Sequence, residues 1–386
     1  MSGLDQTDQR ALRSIAAQFW VNGAVVASYV PRLPGIRDKL NIDLSTIGAL
    51  IAVATGAGLL GSVMVGSTVE RFGTKRLMIM GGAVLVLALP FVSIAPSAAA
   101  LLVVLAVIAV ADVLTDVAMN IQGSAISARR HVPVMNRLHA MWSLGTVVGG
   151  LVAAGMAAWN VDLRVHLVIA SLVLSGTLFY VAPGLLTSDA PASHAAGSSS
   201  TNNASTTRIV LIFAALGGAA VLPELINSDW AAFRLTDDLG ASEGLAGLAY
   251  VAFTSGMVAG RFSGDAAVQR FGGGTVLHRA TVLAAVSILA ATLVPSTAVV
   301  FIGLFFAGIG VSVMFPQLYD EAARSPRPGK ALGGLTAGTR IALLGAPLLV
   351  GLLADSETFN VGSAIAMTTV PAAVLVLMLS NRLQLT

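Results

Sequence analysis

Twelve apolar runs, each close to the length that crosses a bilayer, recur along the 386-residue sequence and limit its fold more than any other feature. A membrane-spanning helix needs about 20 mostly apolar residues. The runs are rich in Ala, Val, Leu and Gly, whereas the strands of a membrane barrel would be short and alternating. Because a backbone in lipid must satisfy its own hydrogen bonds, the runs predict helices. We place them at about 10–31, 44–67, 77–95, 98–126, 138–158, 165–186, 208–231, 244–264, 275–294, 298–320, 332–353 and 360–380.

The composition agrees with a chain that faces lipid. Only 11% of the residues are charged and 56% are hydrophobic, whereas a soluble domain carries about 25% charged residues. The absence of cysteine excludes disulfides, thiolate metal sites and cysteine nucleophiles. The sequence has no Walker phosphate loop, and its 5 histidines lack metal-ligand spacing. We therefore expect no enzyme activity, no cofactor and no metal site.

The distribution of Lys and Arg predicts the orientation. With the N-terminus in the cytoplasm, 16 of the 22 basic residues, Arg261 among them, fall in inner loops. The residues that fall outside are Arg32, Arg37, Lys39, Arg164 and Arg234. Since positive charge is enriched on the cytoplasmic side, we expect a multi-pass protein of the cytoplasmic (inner) membrane with both termini in the cytoplasm. The net charge of +3 then needs no nucleic-acid partner.

A long polar connector divides the chain near its middle. Residues 188–207 read SDAPASHAAGSSSTNNASTT. This composition has no apolar anchors and predicts a flexible cytoplasmic linker. We expect an N-terminal six-helix bundle over 1–187 and a C-terminal six-helix bundle over 208–386.

The two halves are copies of one sequence. A shift of 199 residues places Gly48 on Gly247, Gly61 on Gly260, and VERFG on VQRFG. Six spans per copy, an even number, make the copies parallel. Parallel repeats of six helices are the halves of a major facilitator fold, whose substrate site lies near the midplane. We therefore expect an all-α membrane protein with 12 transmembrane helices in two parallel six-helix repeats.

The segment GSTVERFGTKR after the second span resembles the signature loop of the major facilitator superfamily, G-x-x-x-D-R-x-G-R-R/K. It departs from that pattern by Glu70 in place of Asp and by Thr74 in the first basic position. In the family this loop helps to hold the cytoplasmic side closed; the alternative is a basic inner loop beside lipid headgroups. The resemblance implies gating by Gly66, Glu70, Arg71, Gly73, Lys75 and Arg76, and by Asp265 and Arg270 in the second copy.

Further segments narrow the resemblance. DVAMNIQG from Asp116, RLHAMWSLGTVVGG, and the surroundings of Glu224 and Trp230 are similar to the bacterial YbjJ-like transporters, which lie near the fucose:proton symporters. In the fucose:proton branch, an acid on the fourth helix followed four positions later by Asn is implicated in proton coupling. Asp116 and Asn120 match that pattern, with Asp in place of Glu. The first-helix acid of that branch has no clear match, and Asn22 is the nearest polar residue.

Polar residues inside the apolar runs are candidates for function because they are costly in lipid. Asp112, Asp116 and Asn120 lie four residues apart, on one face of the fourth helix. Two carboxylates so close repel each other, which favours proton binding by at least one of them; the alternative is that both only hold the bundle together. We expect proton coupling by Asp116, Asp112 and Glu224.

The remaining candidates are substrate contacts. Trp230 has the alternative of an anchor at the outer interface. Arg340 has two alternatives: its side chain reaches the inner headgroups, or it pairs with Asp320 or Glu321. The full set is Asn120, Asn22, Gln18, Gln122, Asn227, Trp230, Gln317 and Arg340.

These observations favour a secondary active transporter. We expect a monomer in the lipid bilayer that moves a small polar solute, a sugar or an organic acid, by alternating access coupled to protons. One alternative is proton-driven efflux of drugs or metabolites, although the fifth helix, SLGTVVGGLVAAG, lacks the Gly-Pro signature of drug/proton antiporters. A second alternative is a membrane receptor or scaffold that does not transport.

Overall fold

The computed structural model describes residues 6–130, 134–187 and 204–382, and helices account for nearly all of them. The helices are α1 Gln6–Tyr29, α2 Leu33–Leu40, α3 Leu44–Ile94, α4 Ala98–Arg130, α5 Met135–Ala158, α6 Leu163–Val181, α7 Ala204–Phe233, α8 Glu243–Phe271, α9 Gly273–Leu293, α10 Thr297–Arg324, α11 Pro328–Ala354 and α12 Val361–Arg382. A 3-10 turn, Val30–Arg32, joins α1 to α2, and a π-helical turn, Arg234–Asp238, extends α7.

Helices α3 to α12 are each long and apolar enough to cross a membrane. α3 has 51 residues and would be about 76 Å long if straight, so it holds the second and third expected spans. α1 has 24 residues, about 36 Å, and reaches membrane length although Gln18 and Asn22 make it more polar. Within the described residues, eleven of the twelve expected spans are therefore apolar enough to cross a membrane, and α1 matches the first expected span by its length.

The two sequence copies share unusual backbone conformations. Gly73 has φ 73° and ψ 156° and divides α3, while Gly272, its counterpart at the shift of 199, has φ 81° and ψ 147° between α8 and α9. Asn41 and its counterpart Gly240 both have positive φ, 50° and 64°. Residues with a side chain rarely have a positive φ. The matched positions therefore show that the two copies share their local backbone conformation as well as their sequence.

The chain divides into two compact units. Unit 1 comprises Met1–Asn41 and Val53–His194, and unit 2 comprises Ile42–Ala52 and Ala195–Thr386. In unit 1, α1 packs along α5 so closely that a Cβ at Gly23 would collide with the carbonyl of Trp142. In unit 2, α7 packs along α11, where a Cβ at Gly338 would meet the carbonyl of Ala214. Small residues permit this approach of membrane helices.

The expected linker lies mostly outside the described residues, which omit 188–203. Its last four residues, 204–207, belong to α7, which begins at Ala204. The predicted end of the linker at residue 207 is therefore wrong by four residues, because propensity alone does not locate a helix end.

The first turn of α3 lies in unit 2 and is capped twice. The Thr46 hydroxyl and amide donate hydrogen bonds to Asp43 and hold the pKa of that carboxyl below its ordinary value. Asp355, just after α11, accepts hydrogen bonds from the amides of Leu44 and Ser45 at 3.0 and 2.6 Å. A carboxylate at a helix N-terminus satisfies amides that have no partner within the helix.

Candidate functional site

A chain of hydrogen bonds joins three helices of unit 1. Nδ2 of Asn22 on α1 donates to Oδ1 of Asp112 on α4 at 2.8 Å. Nε1 of Trp142 on α5 donates to Oδ1 of Asn22 at 2.9 Å. Asn22 is buried, with 3% of its surface exposed. Both ends of its amide are therefore used, and Asn22 connects a carboxylate in the middle of α4 to the indole of α5.

Asp116 lies one turn beyond Asp112 and has different neighbours. Nδ2 of Asn120 donates to the Asp116 carbonyl at 2.8 Å and to its Oδ1 at 3.1 Å. His139 on α5 interacts electrostatically with Asp116 and stands edge-on to Phe19 at 5.3 Å. The structure thus brings together Asp112, Asp116, Asn120 and Asn22, four residues that the sequence predicted for coupling or substrate contact.

The two candidate glutamines of unit 1, Gln18 and Gln122, differ in their partners. Nε2 of Gln122 donates to the Thr74 hydroxyl and to the Leu186 carbonyl, each at 3.0 Å, and its Oε1 accepts from the Leu186 amide at 3.1 Å. Nε2 of Gln18 is buried beside Gly82 and has no hydrogen-bond partner in the described part of the chain. Gln122 is therefore held inside the bundle by three hydrogen bonds, whereas Nε2 of Gln18 has an unused hydrogen-bond donor in the described part of the chain.

In unit 2, Glu224 on α7 faces Arg261 on α8. The nearest atoms, Oε1 and Nη2, are 3.5 Å apart, and the side chains are 32% and 36% exposed. Arg261 lies ten residues before the end of α8, about 15 Å inside it. Its predicted position in an inner loop is therefore wrong, since positive charge near a span end does not reveal where the helix stops.

Two other candidates on α7 are fully buried. Nδ2 of Asn227 donates to the Pro223 carbonyl at 2.8 Å, while its Oδ1 has no partner among the described residues. Trp230 packs on Phe233 at 5.2 Å and against Gly48, with Nε1 also without a partner there. At 0% exposure Trp230 is not an interfacial anchor, so that alternative is wrong.

The predicted partners of Arg340 lie elsewhere. Asp320 and Glu321 face Arg324 at 4.0 and 3.6 Å, because each acid lies about one helical turn before Arg324 on α10. Arg340 on α11 is exposed and has no acidic partner within the described ranges, so the predicted pairing is wrong. Gln317 on α10 is buried, with Oε1 next to Gly273 at the start of α9.

The residues expected in a gating loop lie on helices. α3 continues on both sides of Gly73, and α8 continues to Phe271, so the expectation of a loop is wrong in both copies. In each copy an arginine stacks on the next residue: Arg71 on Phe72 and Arg270 on Phe271, both at 5.3 Å. The other members lie on α3 and α8, and the four charged ones form no ion pair among the described residues; these members are Gly66, Glu70, Lys75, Arg76 and Asp265.

Three residues of these networks were missed by the sequence reasoning. Trp142 gave no signal because an indole inside an apolar run is usually core. Arg261 stands where the shift of 199 places Ser62 in the first copy, and that difference between copies is a signal that was available. Arg234 was counted only as an outer charge, and the sequence did not predict that it is buried at 4% exposure and pairs with Asp238 at 2.6 Å.

Comparisons with known proteins agree with this architecture. The family model described as Major Facilitator Superfamily matches residues 15–225. An uncharacterized transporter of Sinorhizobium fredii is 26% identical over 372 residues, 94% of this chain and 97% of the relative. An uncharacterized MFS-type transporter of Yersinia pestis is 26% identical over 347 residues, 89% and 88% of the two chains. A crystal structure of the nucleoside transporter NupG, in a mutant form, is 14% identical, with TM-score 0.74 over 96% of this chain and 98% of that one. The predicted fold is confirmed.

Proposed function

The chain belongs to the major facilitator superfamily, and from this premise we propose that it is a proton-coupled secondary transporter of a small polar solute. It works by alternating access in the cytoplasmic membrane, with both termini in the cytoplasm. The exclusion of an enzyme and the assignment to transport rest on the family and on relatives that are themselves transporters. Coupling, substrate class and orientation are our proposals.

The observation that carries proton coupling is the pair of carboxylates in the middle of α4. Asp112 and Asp116 lie 14 and 18 residues after the start of a 33-residue helix, so both are deep within the span. Acids at such depth are expensive and usually mark a relay or a substrate path. Their neighbours differ: Asp112 is bound to the fixed amide of Asn22, whereas Asp116 accepts a hydrogen bond from Asn120 of its own helix and interacts with His139. Asp116 is therefore the acid that exchanges the proton, and Asp112 keeps its neighbour's surroundings polar.

The other residues have supporting roles in this proposal. Gln18, Asn120, Asn227, Trp230, Gln317 and Arg340 contact the solute at some stage of the cycle. Asn22 positions Asp112, and Gln122 holds the bundle together. The arginines and acids beside Gly73 and Gly272 control closure of the cytoplasmic side. The likeness of the DVAMNIQG segment to the YbjJ-like group near the fucose:proton symporters supports a proton-driven sugar or organic acid carrier.

A screen of purified protein tests this function. Wild-type protein in lipid nanodiscs is heated with single sugars, sugar acids, organic acids and nucleosides, and any solute that raises Tm is taken to proteoliposomes. Uptake against a concentration gradient should require an inwardly directed proton gradient and stop when a protonophore is added. If accumulation of the solute is the same with and without a pH gradient, the transporter is not coupled to protons. Binding without movement of any solute would favour a receptor.

A further inference from the structure

We propose that Arg261 binds a carboxylate group of the substrate. In this proposal Glu224 is the counter-ion that pairs with the Arg261 guanidinium when no substrate is bound. This inference rests on the transport function proposed above and deepens it, because it selects anionic solutes over neutral sugars. The site lies entirely within unit 2, on α7 and α8.

A second ion pair in the same unit shows what a structural pair looks like. Arg234 and Asp238 approach to 2.6 Å, and their side chains are only 5% and 7% exposed. Asp238 also accepts hydrogen bonds from the amides of Val361 and Gly362 at 3.2 and 2.8 Å, so it caps α12. This pair is short, closed to solvent and tied to a helix end.

The pair of Arg261 and Glu224 has the opposite properties. Its 3.5 Å separation exceeds the roughly 2.7–2.9 Å of a tight charge-assisted hydrogen bond. About a third of each side chain is exposed. A solute carboxylate can replace a side-chain carboxylate that is held at this distance and is partly exposed, so a solute anion can take the place of Glu224.

The position of Arg261 also favours binding over architecture. It stands in the interior of α8, where a charge is costly unless it serves a path or a partner. The first copy has Ser62 at the corresponding position, so the fold of a six-helix unit does not need this charge. A guanidinium presents a planar fork of donors that matches a carboxylate, which a lysine does not.

The closing experiment compares solutes that differ only in charge. Galacturonate and galactose, lactate and lactamide, and succinate and succinamide are titrated into protein in nanodiscs, with calorimetry and Tm as readouts. The acid of at least one pair should bind to wild type, and its neutral partner should not. Glu224→Gln should bind that acid roughly twofold to fivefold more tightly, because the internal competitor is gone. Arg261→Gln should lose the acid, and Arg261→Lys should keep only part of the affinity.

A charge swap separates binding from structure. Glu224→Arg combined with Arg261→Glu keeps an ion pair and should restore Tm, yet the acid should not bind; Arg279→Gln, another arginine of unit 2, should bind it as wild type does. Wild-type affinity in Arg261→Gln or in the swapped protein would overturn the proposal. Binding and uptake of neutral solutes alone would remove the carboxylate site but leave proton-coupled transport intact. Failure of every solute to be moved would remove both.

Discussion

The amide of Asn22 donates a hydrogen bond to Oδ1 of Asp112 over 2.8 Å, although 90 residues separate them in the chain. The indole of Trp142 decides which way this amide points, because an indole N–H can only donate and so binds the oxygen of Asn22. The NH₂ group of Asn22 must then face Asp112. A proton that binds Asp112 is then favoured on the other oxygen, Oδ2, because Oδ1 accepts from Asn22 and a carbonyl oxygen is the better acceptor.

Trp142→Phe should therefore destabilise the protein through Asn22. The change leaves the buried Oδ1 of Asn22 without its donor, which costs about 1–3 kcal/mol. Because the two residues act in series, Trp142→Phe should add little in an Asn22→Ala background. Unfolding in nanodiscs measures the change in the free energy of unfolding that Trp142→Phe causes in wild type and in the Asn22→Ala background. Trp159→Phe, at a site 79% exposed, is the control and should change little; strictly additive losses for Trp142 and Asn22 would show that the bonds are independent.

Gln122 and Gln18 are a matched pair, since each is 1% exposed. Gln122→Leu should destabilise unit 1, because the Leu186 amide and carbonyl lose their side-chain partner, at about 1–3 kcal/mol for a buried group left unpaired. Its effect on solute KM should be small. Gln18→Leu should keep or raise Tm, because Nε2 has no partner to lose among the described residues, and should raise KM if Gln18 contacts the solute. The reverse assignment of Tm and KM effects would refute this division.

Arg234 and Arg340 should respond oppositely to alanine. Breaking a buried pair leaves one charge without its partner and costs roughly 3–5 kcal/mol, so Arg234→Ala should lower Tm strongly. Arg340 is exposed and has no acid beside it among the described residues, so Arg340→Ala should change stability by less than about 0.5 kcal/mol. Thermal unfolding of both variants in one lipid is sufficient. A large loss of stability in Arg340→Ala would point to a partner outside the described residues.

The sequence was a sufficient guide where structure follows from periodicity. The apolar runs predicted most helix ends to within about four residues, although the second and third runs form one helix and α8 ends seven residues later than predicted. The shift of 199 placed Gly73 on Gly272 before their matching φ values were known. Contacts between helices could not be predicted in this way. The hydrogen bond of Asn22 to Asp112 joins residues 90 positions apart. The period of apolar residues along one helix does not show which face of another helix packs against it.

Charges near span ends were the second source of error. Arg261 was assigned to an inner loop because the positive-inside rule counts charges without knowing where each helix ends. Arg234 does follow the end of α7, but its burial and its ion pair were not predicted. α8 continues for ten residues beyond Arg261, and in the turn after α7 Arg234 pairs with Asp238, whose carboxylate caps α12. Their acidic partners were visible in the sequence, but the pairing depends on how helices cross.

Gly73 should be intolerant of any side chain. Its φ of 73° is strained for other residues, so Gly73→Ala should cost about 1–3 kcal/mol. Gly66→Ala is the control, because Gly66 is helical and a Cβ there meets nothing within 4 Å; alanine should stabilise it by up to about 1 kcal/mol. Gly272→Ala should behave like Gly73→Ala, since the two backbones match. Equal stabilities of Gly73→Ala and Gly66→Ala would mean that α3 can straighten without loss.

Asp116 should be the residue on which coupling depends. If it exchanges the proton, its carboxyl must be neutral in one state of the cycle and charged in another. Asp116→Asn imitates the permanently neutral form at nearly the same volume. This variant should bind the solute and exchange it across the membrane, but it should fail to accumulate solute when a pH gradient is imposed. Paired proteoliposome assays, counterflow and gradient-driven uptake, separate the two activities.

Asp112→Asn is the comparison for that experiment. The amide oxygen introduced by this change could still accept a hydrogen bond from Asn22, so the network around α1 and α5 should survive. Accumulation should therefore fall less than in Asp116→Asn, because the exchanging acid is unchanged. Gradient-driven accumulation at the wild-type level in Asp116→Asn would exclude Asp116 from coupling. Loss of accumulation in Asp112→Asn alone would transfer the role to Asp112, and loss in neither would direct the search to Glu224 beside Arg261.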